Sequence, residues 1–327
     1  LDGIVLLLNN CTDNSAAVVR AAALCIPCDL IEMELHGSQA TAGFARSLAM
    51  RLAAKNLSDD DVLLTTDADG QVAPDWLAEN LRAIEAGADA VCGMADLDPA
   101  DARLIPAHLH ADDARECELA DLLDEMFALL DPDPADPMPR HTQHSGASIA
   151  VTVAAWRRAG GMPPVPSGED RAFIENLKRV DARIRHAPNV RVVVSGRTQG
   201  RAAGGMAETI ARRMIQQDEY ADCAIEPAEL RYRRATLRGR ARAAWAWSVA
   251  DVGEFAHALQ VPRDIVLAAL AQPYFGAAWA SLETCSPLLA PRHVRFVDLP
   301  YEIAAARALC KRARDLRMQD TPALAAA

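Results

Sequence analysis

Apolar residues in the first part of the chain come in short runs, separated by segments in which they recur at helical spacing. Residues 3–8 (Gly-Ile-Val-Leu-Leu-Leu) are an apolar run that predicts a buried strand, and the polar cluster 9–15 after it predicts a loop with helix-capping side chains. A helix is expected over 16–24, a strand over 29–35, and an amphipathic helix carrying Arg46 and Arg51 over 42–55. The run 61–66, from Asp61 to Thr66, predicts another buried strand. A helix over 74–86, with Pro74 in its first turn, and a strand over 88–94 follow. Strand alternating with helix implies an α/β domain with a largely parallel sheet, whose ligands sit at the carboxyl ends of the strands.

The alternation breaks over 95–140. A helix is expected over 112–130, and the proline-rich stretch 131–139 reads as a surface loop. Alternation then resumes with a strand over 147–151, a helix over 152–159 and a Gly-Pro turn over 160–167. A helix over 171–180 and a strand over 190–195 complete it. Glu169 and Asp170 fall at the start of the helix, where its dipole favours carboxylates. Residues 196–205 read as a flexible basic connection. Helices are expected beyond it, over 207–217, 227–237, 240–259 and 262–271, and the last residues, 323–327, as a frayed end. The pattern divides the chain into an α/β domain over 1–205 and a helical region over 206–327.

The net charge of -11 excludes a protein that wraps nucleic acid through bulk electrostatics. There is no apolar run of about 18 residues to cross a membrane, and the opening residues do not have the form of a secretory leader. The eight cysteines are scattered, with Cys25 and Cys28 as a single CxxC pair, so no zinc site is expected and a reduced, cytoplasmic protein is.

The stretch that offers chemistry is Thr66-Asp67-Ala68-Asp69-Gly70. Asp67 and Asp69 point to one side of an extended chain, and Gly70 permits a sharp turn after them. Two carboxylates at a strand end need a cation or donors, and hard oxygens suit Mg²⁺ or Mn²⁺. This Asp-x-Asp, the preceding loop Asn9-Asn10-Cys11-Thr12-Asp13-Asn14-Ser15 and the later Gly160-Gly161 with Gly168-Glu169-Asp170 stand in the order in which family 2 glycosyltransferases carry "DDGSxD(N/G)(S/T)", DxD and "GG(F/M)…GED". Over about residues 3–205 the chain resembles that family.

The resemblance implies a GT-A fold, a mostly parallel Rossmann-like sheet flanked by helices, followed by the helical region. It implies transfer of a sugar from a nucleoside diphosphate sugar to an acceptor hydroxyl, with inversion, assisted by Mg²⁺ or Mn²⁺. Asp67 would contact the donor's ribose or the metal, Asp69 would hold the metal, and Asn10, Asp13 and Arg46 would face the donor. Asp170, ahead of Glu169, would be the base. His141, His144 and His186 are candidates for a third metal ligand or an acceptor contact, or are plain polar residues. The family's usual opening strand, of the type VxIPxxNE, is not seen ahead of residue 3, so either a preceding segment is absent from the chain given or the base pocket is incomplete. Asn9-Asn10 also stands where Asp-Asp is common, and an amide donates as well as accepts. The helical region would cover the acceptor or pair two copies into a homodimer.

Two other readings start from the same residues. Asp67-Ala68-Asp69-Gly70 also resembles the nucleophile motif of haloacid dehalogenase-like phosphatases, with Asp67 as nucleophile and Asp69 as acid/base. That motif normally closes the first strand, whereas two strand–helix units precede it here. A non-catalytic ligand-binding relative would use Asp67 and Asp69 and have no use for Asp170.

Overall fold

The structure, a computed structural model, describes residues 1–200, 204–247 and 252–320. The chain packs into two compact units. The first comprises Leu1–Ala102, Gln143–Lys178 and Ala182–Ala211; the second comprises Arg103–Thr142, Arg179–Asp181 and the chain from Arg212 onward.

The first unit opens with β1 (Ile4–Asn9), α1 (Ser15–Ala21), β2 (Cys28–Met33) and α2 (Ala42–Ala53). It continues with β3 (Val62–Thr65), β4 (Gln71–Val72), α3 (Trp76–Glu85), β5 (Ala90–Leu97) and α4 (Pro99–Ala102). After α5 (Ala107–Leu130), which belongs to the second unit, come β6 (Ile149–Thr152), α6 (Val153–Arg158), α7 (Glu169–Arg179) and β7 (Ile184–Val194). The α/β architecture is the expected one. The sheet itself is mixed where the alternation of elements suggested mostly parallel strands. β1 and β2 form a parallel pair, and the larger sheet has the order β3-β6-β5-β7-β4, in which only β5 and β7 pair in parallel among the described strands. β6 runs antiparallel to both its neighbours because it enters after the long excursion through α5 rather than through a short crossover.

That reversal sets up the site. β3, β5 and β7 share one direction, so the loops leaving them and the loop entering β6 emerge at the same end of the sheet. The central strands are apolar on both faces: Ala90, Val91, Cys92, Ile149, Ala150 and Val151 are all 0 % exposed. Phe173, Ile174 and Leu177 of α7 and Met50 of α2 close one face, and Trp76 of α3 closes against Val91 and Val190 on the other.

α8 (Met206–Ile215) follows β7. The second unit is α5 with α9 (Ala228–Trp247), α10 (Val252–Leu259), α11 (Arg263–Leu270), α12 (Phe275–Cys285) and α13 (Leu299–Asp320). Its two apolar cores are built around Leu259, Leu282 and Leu289, and around Leu119, Met126 and Leu299. α12 and α13 lie beyond the last helix expected from the sequence. Gly239, which falls between the helices expected over 227–237 and 240–259, is interior to α9. A Cβ there would stand 2.8 Å from the Leu130 carbonyl oxygen, so the glycine serves close helix approach rather than termination. Part of the helix expected over 240–259 lies outside the described residues, as do Arg201 and the expected frayed end at 323–327.

Candidate active site

Arg46 is the centre of the site. α2 begins at an N-cap, with Thr41 Oγ1 accepting from the Phe44 N–H at 3.2 Å, and projects Arg46 one turn later. The guanidinium donates from Nη2 to Asp67 Oδ1 (2.7 Å), from Nε to Glu169 Oε1 (2.9 Å) and from Nη1 to the Gly146 carbonyl (2.7 Å). Burial opposes its charge, but Asp67 and Glu169 outweigh that and raise the guanidinium above its ordinary value.

Gly146 is the second hub. Its carbonyl also accepts from Thr65 Oγ1 (2.8 Å), and its N–H donates to Asp170 Oδ2 (2.9 Å). A Cβ at this position would stand 2.7 Å from Arg46 Cζ, so only glycine lets the guanidinium lie against the backbone here. The register explains the meeting: Thr65 at the exit of β3 pairs with Ile149 at the entry of β6, which lays residues 145–148 beside the Asp-x-Asp turn. Gly43 on α2 faces the loop before α7, and a Cβ there would overlap the Val165 carbonyl oxygen at 2.0 Å.

The structure therefore joins Arg46, Asp67, Glu169 and Asp170 in one hydrogen-bonded network. Glu169 is buried beneath Arg46, while Asp170 is half-buried, with its other oxygen accepting from the Arg171 N–H at 2.7 Å. Asp69 lies outside this network. It is exposed, and Arg197 Nη1, in the loop leaving β7, reaches its Oδ2 at 2.8 Å. That loop is pinned by Asp101 of α4, which accepts from Ser195 Oγ (3.0 Å) and the Gly196 N–H (2.8 Å).

Asn10 and Asp13 sit at the end of β1, in their own arrangement. Asn10 adopts φ 52°, a left-handed conformation that asparagine tolerates, and its side-chain amide pairs with the Leu35 backbone. Asp13 Oδ1 accepts from the Ser15 N–H and hydroxyl, forming the turn into α1. His144 and His186 meet Nε2 to Nε2 at 2.9 Å, whereas His141 belongs to the second unit. Among the described residues no group of three or more His, Cys, Asp and Glu is placed to hold a metal on protein ligands alone.

Sequence reasoning missed Thr65, Gly146 and Arg197. The Ser145-Gly146 step just before a strand was the available signal for Gly146, and Arg197 was visible only as a basic residue after the last strand.

Residues 3–146 match the family model described as glycosyl transferase family 2. No curated protein matches the chain. Among solved structures, similarity is found to the mannosyltransferase PcManGT from Pyrobaculum calidifontis in complex with GDP-Man and Mn²⁺. The identity is 17 %, over 95 % of this chain and 77 % of that one, with a TM-score of 0.41. Similarity is also found to TarS of S. aureus, residues 1–349, in complex with UDP, at 14 % identity over 96 % of this chain and 82 % of that one, with a TM-score of 0.41. The family likeness covers residues 3–146, less than half of the chain.

Proposed function

We propose that the protein transfers a sugar from a nucleoside diphosphate sugar to an acceptor hydroxyl, with inversion, in the cytoplasm. Residues 1–205 carry the donor and the chemistry, and residues 206–327 serve the acceptor side or pairing of copies. The observation that supports this reading is the convergence of three distant stretches on Arg46: the Asp-x-Asp turn, the entry to β6, and Glu169 with Asp170 at the start of α7.

The carboxylates of Asp67 and Asp69 are hard oxygen donors of the kind that suit Mg²⁺ or Mn²⁺. Such ions are commonly held by one or two carboxylates together with substrate phosphates, so the absence of a three-residue protein cage among the described residues fits that use. Asp69 and Asp67 would hold the ion; when bound, it would neutralise charge on the departing diphosphate. Arg197 beside Asp69 adds a cation suited to the same phosphates.

Asp170 takes the proton of the acceptor hydroxyl, whose oxygen bonds to the anomeric carbon as the bond from that carbon to the diphosphate breaks. The electron pair of that bond leaves with the nucleoside diphosphate. Glu169 is the weaker choice for this role, because Arg46 occupies it and it is buried.

Calorimetric titration with GDP and UDP, with and without Mn²⁺, tests the proposal. Metal-dependent binding of a nucleotide, weakened about tenfold or more in Asp69→Asn, is expected. Binding that ignores both the metal and the substitution would refute the metal assignment.

A further inference from the structure

Asn10 grips the chain on both sides of Glu34. Its backbone N–H donates to the Met33 carbonyl (3.1 Å), its Nδ2 donates to the Leu35 carbonyl (3.0 Å), and its Oδ1 accepts from the Leu35 N–H (3.0 Å). Leu35 is buried, so Glu34 projects from backbone held at both flanking residues. The same pairing spends the Asn10 amide on the protein itself.

A cavity of about 370 Å³ opens at the carboxyl ends of β1 and β2 and is lined by Leu8, Cys11, Thr12, Met33, Glu32 and Glu34, together with Asn10. This volume is at the lower end of small-ligand sites and suits one ring system with part of a sugar. Leu8 and Met33 offer apolar faces for a flat ring. Of the two carboxylates, Glu32 is paired with Arg20. Glu34 has no hydrogen bond or ion pair among the described residues, which leaves both of its oxygens for a ligand.

We infer that the donor nucleotide carries guanine, and that Glu34 is the residue that selects it. The inference takes the presence of a nucleotide from the glycosyl-transfer reading and adds the identity of the base. An ionised carboxylate only accepts, with two oxygens side by side. Guanine presents two adjacent N–H donors, N1–H and the N2 amino group, which match that pair. Uracil presents one N–H between two carbonyl oxygens, so the second carboxylate oxygen meets a like partial charge. Adenine and cytosine place a ring-nitrogen acceptor beside their amino group, with the same conflict.

The test is calorimetric titration of the full chain with GDP, UDP and ADP, each with Mn²⁺, on the natural protein and on Glu34→Gln. GDP is expected to bind about tenfold or more tightly than UDP or ADP, as a bidentate base contact implies. In Glu34→Gln the preference for GDP should fall about tenfold, because the amide turns a donor toward guanine's own donors. UDP binding equal to or tighter than GDP in the natural protein overturns the inference while leaving glycosyl transfer standing, and it does so without any variant. An unchanged GDP to UDP ratio in Glu34→Gln also overturns it. Binding of no nucleotide at all would remove the glycosyl-transfer reading and the inference together.

Discussion

The two units each contain a buried cluster of arginine and carboxylate, built in opposite proportions. In the first, one cation, Arg46, serves two carboxylates, Asp67 and Glu169. In the second, one carboxylate, Asp131, 1 % exposed, serves two cations, Arg238 and Arg242. The consequences for charge run in opposite directions. Arg46 is held above its ordinary pKa because the carboxylates outweigh its burial. Arg238 is lowered, since burial and the neighbouring Arg242 outweigh Asp131. The second cluster is closed by aromatic faces: Arg238 and Arg242 lie over the Phe275 ring at 5.3 and 4.4 Å. The first has surplus negative charge and no such covering, with Asp67 still 39 % exposed at the strand ends. Similar ion pairs thus lock a helix bundle in one unit and leave carboxylate oxygens for a cation in the other.

The sharpest way to break this comparison is to remove one carboxylate from each unit and read transfer. Asp170→Asn is expected to lower kcat by about 10²–10⁴-fold, the range typical of general-base removal, with donor binding by calorimetry changed less than about twofold. Asp131→Asn, in a sample shown to be folded, should leave kcat within about twofold. If Asp170→Asn turns over at the natural rate, the base is assigned wrongly.

Stability should respond more evenly. Arg46→Met would leave Glu169 buried without its cation, and Asp131→Asn would leave Arg238 and Arg242 without theirs. Each is expected to cost about 3–5 kcal/mol, the usual effect of breaking a buried pair from one side. Denaturant unfolding measures both. A loss below about 1 kcal/mol for Arg46→Met would mean that water already screens the first cluster, and the contrast of open and closed networks would then have to be redrawn.

Much of the first cluster is legible in the amino-acid sequence. Arg46 stands on a helix with clear periodicity, Asp67 closes an apolar run, and Glu169 and Asp170 stand at a helix start after a Gly-Pro turn. What joins them is not legible there. Gly146 works through its backbone N–H and carbonyl, which no side-chain motif announces, and its position depends on β6 running antiparallel to β3. The hold of Asn10 on Leu35 is hidden for the same reason, since its amide completes the pairing of β1 with the chain after β2. In the helical unit, α9 runs through residues 238–239, which the expected helices left out, because the close approach of Gly239 to the Leu130 carbonyl is a tertiary fact, invisible to local propensity.

The smallest effect concerns a carboxylate at the opposite end of the sheet from the site. Asp89, just before β5, accepts from the Arg183 N–H (2.9 Å) and from the Arg183 and Arg158 guanidinium groups (both 3.3 Å), tying the starts of β5 and β7 to α6. Burial pushes its pKa up, but the hydrogen bonds and charges of Arg183, with Arg158, outweigh that and hold it below the ordinary carboxylate value. A depressed folded-state pKa contributes stability that is present above the unfolded value of about 3.9 and lost as pH falls through the folded value. Its main partner, Arg183, is largely exposed, so solvent screens the pair and the contribution is about 1 kcal/mol or less. Asp89→Asn should therefore melt slightly below the natural protein at pH 7, and the gap should close as pH drops below about 4. A gap that stays constant across that range would mean that the loss comes from packing or neutral hydrogen bonds and not from the charge. Asp89 would then act as a polar tie whose charge adds nothing to the stability of the first unit.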